Sequence, residues 1–213
     1  MIGVGAAHAQ QAIGSATATQ NQVTRELAGA EGSLASGDSV YRNEVIRTGA
    51  DSLAKLVFLD STNLAVGPTS RVVLDRFVYE ADPSAQKVTI NLAKGLFRFT
   101  TGSLDKKAYT ITTPTAAIGV RGTALDIDSH SAETRVTLVE GRAVVCPRQC
   151  GSHCKCQVID TPGQTAQVKR GGGAGLTSTP VNFASLCSGD ICADTSYASN
   201  NTGGGGGGAL CGR

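Results

Sequence analysis

Between Val23 and Val168 the chain alternates short apolar runs with clusters of turn-forming residues. Reversals are signalled at Gly29–Gly32, Ser36-Gly-Asp38, Gly49-Ala-Asp-Ser52, Asp60-Ser-Thr-Asn63, Gly67-Pro-Thr-Ser70 and Asp82-Pro-Ser84. Turn residues arriving this often leave room for strands and little else. The pattern predicts an all-β chain, with strands running from Val40–Arg47 through Leu53–Leu59, Val72–Tyr79, Val88–Leu92, Leu96–Thr100, Ala124–Ile127 and Arg135–Val139 to Cys156–Ile159. No window places apolar residues at i, i+3, i+4 and i+7 over helical length. Leu53–Leu59 is apolar on both parities except at Lys55. A strand of that kind is covered on both faces, so it is predicted to lie centrally.

Two segments echo each other: Ile90-Asn-Leu-Ala-Lys-Gly-Leu-Phe-Arg-Phe99 and Val136-Thr-Leu-Val-Glu-Gly-Arg-Ala-Val-Val145. Before each central glycine the apolar positions are even (Ile90, Leu92; Val136, Leu138). After it they are odd (Phe97, Phe99; Ala143, Val145). Strand side chains alternate faces with period 2, so a change of parity demands a bulge, turn or corner at the glycine. Gly95 and Gly141 are therefore predicted to be corners with positive φ, and Gly119 and Gly122 are expected at similar breaks. The implied architecture is short twisted strands in a β-solenoid-like or curled β-sandwich domain.

The ends read differently. Residues 1–9 are small and apolar, and Ala7-His-Ala9 fits a signal-peptidase site. They are expected to be the remnant of a secretory signal, the alternative being an inconsequential Gly/Ala leader. Residues 10–22 read as a flexible lead-in and 23–168 as the domain. Residues 169–213 read as a disordered Gly/Ser-rich tail, ending in the run Gly203–Gly208.

Composition narrows the function. With no Trp, 4 Tyr and 5 Phe, the core must be built mainly from Val, Leu, Ile and Ala. A net charge of +2 from 19 basic and 17 acidic residues, with no basic run in the strand region beyond Lys106-Lys107, argues against nucleic acid as partner. No apolar run reaches the roughly 18–20 residues that span a bilayer.

Candidate chemistry is sparse. The sequence contains no nucleophile elbow, zincin helix, Walker loop or dinucleotide fingerprint, so neither enzyme nor cofactor is expected. His130 sits in a polar turn and reads as solvated. Seven cysteines fall after Val145. Cys146, Cys150, Cys154 and Cys156, and separately Cys187 and Cys192, are disulfide candidates in an exported protein, with Cys211 left over. The alternative is a tetrahedral metal site from the first four with His153, although its spacing lacks paired Cys-x2-Cys knuckles. Arg71, Arg76, Arg98 and Arg121 lie in or beside strands. They read as individual ion pairs to Asp75, Asp126 or Glu140 rather than as one anion site.

Gly37-Asp38, Ile46-Arg-Thr-Gly49, Leu56-Val-Phe-Leu-Asp60, Val66-Gly-Pro68, Leu92-x-x-Gly95 and Leu138-Val-Glu-Gly141 form a set with Thr113-Pro114 and Gly119-Val120-Arg121-Gly122-Thr123. The set resembles the FecR domain, an all-β module best known from periplasmic regulators of iron–siderophore uptake. Those regulators add an inner-membrane helix and a cytoplasmic segment that controls a sigma factor, and neither is expected here. The resemblance implies a non-enzymatic, free-standing module, periplasmic or extracellular. It would bind a protein or glycan of the cell envelope through sheet edges or through the loops Asp60–Asn63 and Ser129–Glu133, and would be linked to iron-uptake signalling. A structural envelope component that uses the Gly-rich tail as a spacer is the alternative.

Overall fold

A computed structural model of the protein describes residues 11–78, 87–102, 109–149 and 155–186. Residues 1–9, Cys150, His153, Cys154, Cys187, Cys192 and Cys211 lie outside them. The strands are β1 (Ala12–Gln20), β2 (Val23–Leu27), β3 (Ala30–Ser33), β4 (Ser39–Tyr41) and β5 (Val45–Thr48). They continue with β6 (Leu53–Phe58), β7 (Asn63–Val66), β8 (Arg71–Val78), β9 (Lys87–Thr100) and β10 (Tyr109–Thr112). The last are β11 (Ala116–Ser129), β12 (Glu133–Pro147), β13 (Gln157–Ile159), β14 (Thr165–Lys169) and β15 (Ala174–Thr177). A short 3-10 turn, Phe183–Leu186, follows.

Three long strands give the fold its shape. The first half of β9 pairs with β8 and β10, whereas its second half pairs with β7 and β11. Likewise β12 pairs with β14 before Gly141 and with β13 after it, while β11 follows it on both sides. One continuous sheet thus curls into two layers. The first runs β4-β1-β6-β7-β9-β11-β12-β14-β15, and the second β3-β2-β5-β8-β9-β10-β11-β12-β13. The architecture is the curled sandwich.

The crossings lie where the apolar parity changes. Gly95 has φ +114° and Gly141 φ +84°. Ile90, Leu92, Phe97, Phe99, Val136, Leu138, Ala143 and Val145 are all buried in one core. In β11 the same switch separates Ile118 and Val120 from Leu125 and Ile127, with Gly122 at φ +58° and a register shift between them. The corners touch: a Cβ on Gly141 would lie 1.9 Å from the Gly122 carbonyl oxygen. Gly119 differs from the expectation. It is regularly paired with Thr110 and Val144, and space beside it is open.

β6 lies between β1 and β7 and is buried along nearly all its length, as its two-sided apolar pattern requires. The expected lead-in over residues 10–22 is instead largely strand β1, and the expected tail is ordered well beyond Val168. β15 adds to β14, and Val181 and Phe183 are buried. Small residues disguised β1: its Gly14 packs against β6 so closely that a Cβ would stand 2.4 Å from the Val57 carbonyl oxygen. The span Val40–Arg47 splits at Asn43, where φ is +64°, into β4 and β5 in opposite layers.

Candidate interaction surface

The outer face of the first layer carries a polar row set by strand register. Lys55 lies opposite Ala65, Ala65 opposite Arg98, Arg98 opposite Asp126, Asp126 opposite Thr137, and Thr137 opposite Thr165. Arg98 grips Asp126 with two hydrogen bonds, Nε to Oδ1 at 2.8 Å and an Nη to Oδ2 at 2.9 Å. Thr137 and Thr165 hydroxyls meet at 2.9 Å. One step along, an Arg135 Nη reaches Asp128 at 2.5 Å and Gln167 donates to Glu133 at 3.0 Å. Arg98 and Arg135 are thus each neutralised by an aspartate on the neighbouring strand.

The segment that leaves β15 crosses this row. The Val181 N–H donates to Thr137 Oγ1 at 2.7 Å, and the Phe183 N–H to Asp126 Oδ2 at 2.9 Å. The Phe183 ring fills a small apolar pocket with Leu53 and Ala65, flanked by Ala18 and Leu96. The Arg98 guanidinium carbon stands 5.9 Å from the ring centre. Gly67 forms part of the wall, 3.3 Å from the ring at the position a Cβ would take.

The other layer's outer face has a different chemistry. Arg47, Arg71 and Lys94 are consecutive cross-strand neighbours on β5, β8 and β9, and Arg47 pairs with Glu26 at 2.6 Å. Arg71 and Arg98 thus lie on opposite layers and do not converge, while Arg98 forms the ion pair with Asp126 expected of it. The side chains of Arg76 and Arg121 lie outside what the structure describes.

The loops singled out from the sequence are braced rather than open. Asp60 is buried, accepting from the Thr62 N–H at 3.1 Å, the Thr62 hydroxyl at 2.8 Å and the Tyr109 hydroxyl at 2.6 Å. Leu59 beside it is exposed. In the second loop Ser129 is buried and donates to the Leu92 carbonyl at 2.7 Å, and Arg170 clamps the Ser131 carbonyl from β14's end. His130 Nε2 stands 2.7 Å from Asp128.

The quoted motifs serve the fold. Thr113 Oγ1 accepts the Ala116 N–H at 2.8 Å across the turn holding Pro114. Thr113 and Thr115 each meet the Thr134 hydroxyl at 2.7 Å, joining the two layers. Val120 lies in the core. Thr123 donates to the Arg142 carbonyl at 2.8 Å beside the Gly122 corner. Cys146 and Cys156 form a disulfide that ties β13's entry to β12. Sulfurs bonded to each other are not available as thiolate ligands. No grouping of three or more His, Cys, Asp and Glu suited to a metal occurs among the described residues.

One buried carboxyl is shifted. Burial raises Glu44 above its ordinary 4.5, against the opposing pull of the Tyr41 N–H and Arg25. The Tyr41 N–H donates to Oε2 at 2.7 Å. Arg25 Nε comes within 2.7 Å of Oε1 without the alignment of a hydrogen bond, so that contact is chiefly Coulombic.

Residues 44–144 match the family model described as FecR protein. Over that span the chain is similar to the FecR domain. The matched span runs from β5 into β12 and includes all three glycine corners, and the flanking strands complete both layers. No curated protein matches the chain. Two crystal structures of a "putative anti-sigma factor" from Parabacteroides distasonis align with TM-scores of 0.50, at 11% and 10% identity. Each alignment covers 64% of this chain and 60% of the other, so the chain spans less than two thirds of that neighbour's length. At such identity the likeness is one of fold. Among the described residues no helix is long and apolar enough to cross a membrane.

Proposed function

We propose that the protein is a non-enzymatic regulatory binding module of an anti-sigma type signalling system, acting through contact with a protein partner. The observation that carries this reading is the FecR match over the strands that form the centre of both layers. The fold it shares with the Parabacteroides neighbour supports the same class of role. The Cys146–Cys156 disulfide favours an oxidising compartment, hence a periplasmic or extracellular site of action. Iron-uptake signalling is the finer form of the proposal, drawn from the family resemblance alone.

The test is affinity capture from native envelope extracts, followed by reconstitution with the purified candidate. A single protein that rebinds the purified chain in fixed stoichiometry supports the proposal. Retention of glycan alone, or binding that persists after the domain is unfolded, overturns it in favour of the structural envelope role.

A further inference from the structure

The segment Ser178–Leu186 lies across the outer face of the first layer without joining its hydrogen-bond ladder. Of its residues only Val181 and Phe183 are buried. Its attachment rests on two backbone N–H donors and one ring. Those three features are what a receptor uses to read an extended peptide: alternate backbone groups fix the register, and one pocket selects a side chain. Each acceptor is itself held in place. Asp126 is fixed by both Arg98 bonds, and Thr137 meets the Thr165 hydroxyl. A carboxylate accepting a backbone N–H makes a charge-assisted bond, stronger than an amide pair. The pocket exists because positions 65 and 67 are Ala and Gly, and larger side chains there would occupy the space of the ring.

We propose that this face is a peptide-docking groove, filled in the resting molecule by residues 181–183 as a displaceable latch. Its partner is a protein segment of pattern apolar-x-aromatic that turns at the aromatic residue, as this chain does at Phe183, with free N–H groups at both anchor positions. The occupant already seated there defines that chemistry. The inference rests on the protein-binding reading above and names its site. A partner segment competes with a tethered one, so the latch raises the threshold for binding in proportion to its own local concentration.

The experiment uses the full chain and a labelled synthetic peptide spanning Thr177–Leu186, followed by fluorescence anisotropy. Phe183→Ala empties the pocket in cis. The variant is expected to bind the peptide saturably, with affinity about tenfold or more above that of the wild-type chain, whose own latch competes. A control peptide carrying Ala in place of Phe183 should not bind. Adding Asp126→Asn to the variant should weaken peptide binding, since the charged acceptor is lost. A folded Phe183→Ala chain that ignores the peptide, or binds both peptides alike, overturns the groove. Should that variant not fold, hydrogen exchange on the wild-type protein decides. Opening of the latch predicts that the Val181 and Phe183 amides exchange about tenfold or more faster than ladder amides of β11 and β12, whereas exchange at one common rate overturns it. Peptide binding without a reconstituted cellular partner would leave the groove standing while the protein-binding reading fell.

Discussion

Gly141→Ala tests the corner geometry on which the two layers depend. Gly141 holds φ +84°, a conformation that costs an L-residue about 1–2 kcal/mol. The new methyl would also sit 1.9 Å from the Gly122 carbonyl oxygen and 3.0 Å from the Thr123 Cα. Neither neighbour is a flexible side-chain end, so the backbone of the adjoining corner must move. Overpacking of this kind costs about 1–3 kcal/mol. The two costs together come to roughly 2–5 kcal/mol. For a chain of this size that lowers the melting temperature by about 5–15 °C. Gly119→Ala is the internal control. It lies on β11 in the motif that holds the Gly122 corner, but with open space beside it and no positive φ. Alanine is favoured over glycine inside a strand by about 0.5–1 kcal/mol, so this variant should be neutral or slightly stabilised. Urea titrations of both variants against wild type provide the assay. Equal losses for the two variants, or a Gly141→Ala change within about 0.5 kcal/mol of zero, would refute the corner argument.

Other perturbations probe other links. Asp126→Ala removes both Asp126 hydrogen bonds of Arg98 and the acceptor of the Phe183 N–H; breaking a largely buried pair of this kind should cost about 3 kcal/mol in urea unfolding, and a loss below about 1 kcal/mol would contradict it. Reducing the Cys146–Cys156 bridge, whose cysteines are 10 residues apart, should cost roughly 2–3 kcal/mol, and unchanged melting with reductant would contradict that. Burial raises Glu44 above its ordinary 4.5, so folding favours its protonated form. Its contribution is full below about 4.5 and is lost as pH rises through the folded value. Wild type should therefore lose stability relative to Glu44→Gln as pH rises from about 4 to about 7, and a difference that stays flat would falsify the assignment.

What the sequence revealed and what it hid follow from the range of the interactions. Parity changes at Gly95 and Gly141 are local, and the residues on either side are buried as the alternation requires. The matching switch at Gly122 was equally present in Ile118, Val120, Leu125 and Ile127, but the glycine pair at 119 and 122 blurred where it fell. β1 went unseen because Gly14 and Ala16 carry almost no hydrophobic signal, although close contact with β6 demands small residues there. Asp60 looked like an open loop acid because its partner Tyr109 is 49 residues away. Phe183, a lone aromatic in a segment of mixed polar and apolar residues, gave no periodicity to read. Its pocket is assembled from β1, β6, β7 and β9, so only the folded sheet shows it.

The central claim is that the domain regulates transcription through a protein contact. Deleting its gene in native cells, restoring it on a plasmid and profiling transcripts tests that claim most directly. The account predicts that a discrete set of genes sharing one promoter class changes and is restored by the wild-type chain but not by the destabilised Gly141→Ala variant. Unchanged transcription alongside a weakened cell envelope would contradict it and make the domain a structural component.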